Sequence, residues 1–175
     1  MKKITLSLCA SVLLLAACQS NKKEDIIQQK WQAIELDNPD LQKIIDEQNA
    51  FLDTVGNNTT PEQNEEIYGM RNIDSAKQSL RRELDDYKAM QQHAVENTWF
   101  DFQKDGKMLM NFSGKIDSAS WYFDEEGNLM IDEMKLKGAG SKIKMKVISI
   151  QQDTLKLKFE EENMRSTVTF KPANK

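Results

Sequence analysis

Few side chains in this sequence have the type and spacing for covalent or acid–base chemistry. The 175 residues include two cysteines, Cys9 and Cys18, and one histidine, His93. A thiolate is a strong nucleophile near neutral pH, so Cys18 is the first candidate for covalent chemistry. Two cysteines cannot build a four-Cys zinc site or a disulfide-rich scaffold. His93 falls near the end of a helical stretch, where the helix dipole favours a charged surface imidazole over a base. No Gly-x-Ser-x-Gly elbow, P-loop or His-Glu-x-x-His is present. Gly138-Ala139-Gly140-Ser141 holds only a Gly-x-Gly, which reads as a turn. Carboxylates are plentiful, but none pair in an apolar setting that would tune a general acid. Met108, Met110, Met130, Met134, Met145 and Met164 could offer thioethers to Cu(I). No Cys or His accompanies them, so core packing or a greasy, adaptable pocket is the better reading. The expectation is a protein that is not an enzyme and uses neither cofactor nor metal.

The setting of Cys18 defines its chemistry. Lys2 and Lys3 precede an uncharged run over residues 4–17, dominated by Leu, Val and Ala. Such a run is too short for a spanning helix of roughly 20 residues but fits the apolar region of a signal peptide. It ends Leu15-Ala16-Ala17-Cys18, which resembles the lipobox of bacterial lipoproteins. That resemblance implies lipid attachment at the Cys18 sulfur, cleavage before Cys18 and acylation of the new amine. Several acyl chains on one residue suffice for stable anchoring. Loss of residues 1–17 takes the formal net charge from −4 to −6 and leaves no free thiol. Gln19, not Asp, follows Cys18, which in the familiar sorting rule points to the outer membrane. Lys22-Lys23-Glu24-Asp25 resembles a surface-export tag displaced by a few residues, so either the periplasmic face or the cell surface remains open.

The rest of the chain divides into three zones after a tether over 18–28. Trp31, Ala33 and 34–36 alternate like a first strand, although Ile26-Ile27 could begin a helix. Residues 39–95 read as two helices. Asn38 caps and Pro39 opens the first, and Gly56-Asn57-Asn58 breaks it. Thr60-Pro61-Glu62-Gln63 forms a capping box for the second. Its apolar stripe runs Ile73, Ala76, Leu80, Leu84, Tyr87, Met90 and Ala94. Residues 96–171 read as seven short strands, divided by turn signals such as Asp105-Gly106, Gly127-Asn128 and Gln152-Asp153. One apolar and one wet face alternate along them. Eight strands joined mostly by short turns close into a small up-and-down barrel. The expected fold is therefore mainly β: an eight-stranded antiparallel barrel over 29–171, with two helices inserted between strands one and two.

This pattern resembles the lipocalin-like lipoproteins of bacterial envelopes. Lys30-Trp31, Phe102-Gln103-Lys104-Asp105-Gly106, Trp121-Tyr122-Phe123 and the stretch 148–157 carry the resemblance, with the lipobox. It covers 29–36 and 96–171 but not the helical insert. Gln29 stands where the family has Gly, and the family's second motif has no counterpart. The resemblance implies a ligand-binding cup. It also implies an Arg from the last strand packed on the opening Trp, which would make Arg165 the partner of Trp31 at the barrel base. Alternation sets Arg165 on the face opposite the apolar set.

The leading expectation is a small hydrophobic or amphipathic ligand held in the barrel, lined by Phe100, Phe102, Met108, Met110, Trp121, Phe123, Met145, Leu157 and Phe170. The alternative is an interaction protein, an accessory subunit of an envelope complex or an inhibitor, with a filled barrel as its scaffold. A membrane partner is expected through the lipid on Cys18. Nucleic acid is not, given the net negative charge. Charge is segregated: residues 134–175 carry +6 and residues 18–133 carry −12. Lys135, Lys137, Lys142, Lys144, Lys146, Lys156 and Lys158 mostly fall on outward faces, offering either internal complementarity or a basic patch.

Overall fold

The computed structural model describes residues 23–112, 114–161 and 164–173. Cys18, the signal segment and the start of the tether lie outside these residues. The chain forms two compact units, Asn38–Ala94 and a second made of the flanking segments.

The second unit is a closed barrel of eight antiparallel strands in sequence order. They are β1 (Lys30–Asp37), β2 (Trp99–Phe102), β3 (Lys107–Phe112), β4 (Lys115–Phe123), β5 (Leu129–Asp132), β6 (Lys142–Ile150), β7 (Leu155–Glu161) and β8 (Met164–Pro172). Closure is made by β1 against β8, where Trp31 faces Pro172 and Asp37 faces Thr167. Each expected turn separates two strands. The connection from β5 to β6 is richer than a turn: α4 (Glu133–Lys137) is capped by Asp132 and ends at Gly138 in the left-handed region.

Two bulges set the register. Pairing slips between Ala33 and Glu35 in β1 and between Val147 and Ser149 in β6. A bulge leaves one residue out of the alternation. Here these are Ile34 and Ile148, turned out at 46% and 49% exposure. Beyond each bulge the inward face resumes one residue late, at Leu36 opposite Val168 and at Ile150 opposite Leu155.

The helical unit holds three helices, not two: α1 (Pro39–Thr54), α2 (Pro61–Tyr68) and α3 (Ile73–Glu96), whose last two residues fall in the barrel unit. The capping box at Thr60 and Gln63 is present. The expected second helix is divided because Gly69 takes a φ of 72° and closes α2 by donating to the Glu65 carbonyl. Asn72 then accepts from the N–H groups of Asp74 and Ser75 and starts α3. Ile45, Leu52 and Leu84 form this unit's core, with Leu41, Leu80 and Tyr87 against it.

Candidate functional site

The barrel interior is one apolar cluster. Of the nine residues expected to line a cavity, eight are buried in it, while Phe123 is partly buried against it. Their rings form a continuous chain. Phe170 and Phe100 lie 5.1 Å apart, Phe100 and Phe102 5.9 Å, Phe102 and Trp121 5.5 Å, and Trp121 and Phe123 6.2 Å, the last three edge to face. Edge-to-face pairs suit the aromatic quadrupole. These nine residues thus come together, but mostly against one another. Trp121 is fixed further by its indole N–H, which donates to the Gln103 carbonyl.

One end of the barrel is closed by a segment assigned above to the tether. Residues 23–27 form a helical turn, and Ile27 is fully buried within the core cluster. The Trp31 indole donates to the Ile27 carbonyl at 2.9 Å. Backbone bonds from Phe102 to Gln29 and from Ala173 to Lys30 tie the same end together. The Trp31–Arg165 contact is not formed. Trp31 pairs opposite Pro172, while Arg165 is exposed and pairs opposite Glu160, seven residues back along β8. At strand rise that is roughly 23 Å. The base of the barrel is filled from the N-terminal side instead.

Burial is uneven among the inward side chains. Trp31, Leu129 and Leu155 are at 0% exposure and Phe100 and Phe170 at 1%, while Met110 and Met145 rise to 8%. Ile143, Phe159 and Val168 face inward towards the mouth, the end away from Trp31, and are only half-buried; so are Phe123 and Ile150 nearer the Trp31 end, whereas Ile131 opposite Ile143 is at 1%. Asp117 shares Met110's face through its register, so a carboxylate stands at this mouth. It forms an ion pair with Lys137 of α4. The Lys137 ammonium, with the Ser118 N–H, holds the Asp117 carboxyl below its ordinary pKa. Glu133 accepts from the Ser141 N–H and hydroxyl, fixing α4 beside the mouth.

The outward lysines are largely neutralised where they stand. Lys144 lies 3.1 Å from Asp124 and 2.8 Å from Glu126, and Lys158 pairs with Glu160. Lys142 approaches Asp132 at 3.7 Å and, with Lys135, sits over the Tyr122 ring. Partial desolvation pushes the Asp124 carboxyl up. The N–H and side-chain amide of Asn128, with the Lys144 ammonium, outweigh it and hold the group at about 2. The basic run thus finds much of its complement within the barrel unit. His93 lies exposed in the last turn of α3. Met108, Met110 and Met145 belong to the core, whereas Met134 is 56% exposed.

The barrel surface carries clefts among the described residues. One of about 770 Å³ is lined by Asp25, Ile26, Gln28, Gln29 and residues 150–152, and one of about 420 Å³ lies among Glu126, Lys144, Lys146, Lys158 and their neighbours.

No protein-family model and no curated protein matches the chain. Among solved structures it is similar to the crystal structure of a DUF4847 family protein from Bacteroides vulgatus, at 11% sequence identity and a TM-score of 0.42, covering 87% of this chain and 98% of that one.

Proposed function

We propose that this protein is a non-catalytic, lipid-anchored binding protein of the bacterial outer membrane. It holds a small apolar or amphipathic ligand at the mouth of its barrel. The observation that carries the reading is the group of half-buried inward side chains, Ile143, Phe159 and Val168, with the Asp117–Lys137 pair, in the part of the barrel away from Trp31. A small-ligand site needs an apolar wall and a few placed polar groups. The inward apolar side chains supply the wall, and the Asp117–Lys137 pair supplies a polar edge. The nine residues expected to line the cavity serve mainly as the floor. Anchoring through Cys18 and exposure on either the periplasmic face or the cell surface belong to the same proposal, supported by the sequence of the first 25 residues.

Native mass spectrometry after mild extraction tests it. A retained apolar molecule at one per chain is the expected result, and a chain of bare protein mass is the contrary one. A second reading, an accessory subunit or inhibitor that uses the barrel as a filled scaffold, draws on the mutual packing of Phe100, Phe102, Trp121 and Phe170. Crosslinking in cells distinguishes it by a stoichiometric protein partner.

A further inference from the structure

On β3 the inward face runs out of cover. Met108, Met110 and Phe112 share that face by alternation, and their exposure rises from 1% to 8% to 60%. Phe112 ends the strand at the turn into β4, the same end of the barrel as Asp117. An aromatic ring carries a large apolar surface, and this one stands open at the lip of the mouth.

Lys115 is the register partner of Phe112. Residues directly opposite on antiparallel strands project from the same face, with Cβ atoms about 5 Å apart. Lys115 therefore shares the inward face, two positions before Asp117 on β4. The Asp117 carboxyl is held down first by Lys137 and the Ser118 N–H, and Lys115 adds a weaker attraction. Lys137 forms the ion pair with Asp117 and lies 3.9 Å from Glu133. Lys115 is exposed and forms no ion pair among the described residues. An uncovered ring and an unpaired cation thus stand side by side at the lip.

From this juxtaposition, and resting on the mouth as the ligand site, we infer that the protein selects an anionic single-chain amphiphile, its chain lying on Phe112 and its head on Lys115. Small-ligand sites fix orientation with a few placed polar groups beside an apolar wall. A lysine on its flexible stem meets a carboxylate or a phosphate head alike, as a point charge. A cationic head would meet Lys115 and find Asp117 already taken by Lys137.

The test uses the full chain as the cell processes it, held in nanodiscs of neutral lipid. Laurate, lauryl alcohol and laurylamine compete with a neutral fluorescent acyl probe. Partitioning into the disc is common to all variants, so differences between variants report the protein site. Wild type should prefer laurate to laurylamine, with the alcohol between them, and the gap should narrow at high salt. Lys115→Gln should weaken laurate by about fourfold, the size of an exposed charge pair, and leave the alcohol unchanged. Lys115→Arg should keep the preference, and Lys115→Glu should reverse it. Phe112→Ser should weaken all three alike, by about fivefold, through lost apolar contact. Acetate, the head without the chain, should displace nothing. Both residues are exposed, and unchanged melting temperatures check the fold. Equal competition by laurate and laurylamine, unchanged laurate affinity in Lys115→Gln, or competition by acetate would overturn the inference while leaving the mouth as a ligand site. No competition by any of the three chains would overturn both.

Discussion

The indole N–H of Trp31 donates to the carbonyl of Ile27 across 2.9 Å, and neither residue has solvent-exposed surface. Four residues apart in sequence, they join a helical turn to the first strand and seal the barrel base. The Gln29 N–H donates to the same oxygen, so Trp31→Phe leaves that carbonyl one partner. The expected loss is about 1–2 kcal/mol, from one hydrogen bond and the missing ring edge. Ile27→Ala empties a fully buried site and should cost about 2–5 kcal/mol. Urea unfolding of both variants checks this. A solvated tether would leave Ile27→Ala neutral.

Gly56 and Gly69 share a φ of 72° but differ in the space around them. A Cβ on Gly56 would meet Ile73 Cγ2 at 2.6 Å, whereas a Cβ on Gly69 meets nothing within 4 Å. Gly69→Ala should therefore cost only the left-handed backbone penalty, about 1–2 kcal/mol. Gly56→Ala should cost more, because the side chain of Ile73 must also move. Thermal unfolding followed by helical circular dichroism gives the order.

Asp124 sets a pH dependence. Its carboxyl is held at about 2, against an ordinary value of 3.8. A lowered carboxylate pKa stabilises the fold above the unfolded value, and that contribution disappears as pH falls through the folded one. Between pH 4 and about 2, wild type should lose stability relative to Asp124→Asn, which has no carboxyl to titrate at this position. Carbon-detected NMR of the carboxyl gives the pKa directly, and a Lys144→Gln variant should raise it.

The sequence made the barrel legible because turn residues and period-two alternation mark strands locally. Met108 and Met110, or Leu155 and Leu157, declare their face without reference to any partner strand. Depth along the barrel is not local. Alternation places Phe159 and Phe170 on related inward faces, but only register puts one at the half-open mouth and the other at the sealed base. The same limit explains Arg165, whose distance from Trp31 depends on how β1 pairs with β8. The split of the second helix had a signal in Gly69 and Asn72, masked by the apolar stripe that begins at Ile73. The turn at 23–27, which buries Ile27, is too short to show a helical period, and only Ile26-Ile27 hinted at it.

Affinity of the mouth for an apolar chain tests the central claim most directly. An environment-sensitive fluorescent fatty-acyl probe should titrate to one site on the wild-type chain. Phe159→Arg, a change at a half-buried mouth position, should weaken that binding by about tenfold or more, since a charge then faces the acyl chain. Its melting temperature should stay near that of wild type. Absence of saturable binding, or unchanged affinity in Phe159→Arg, would contradict the account.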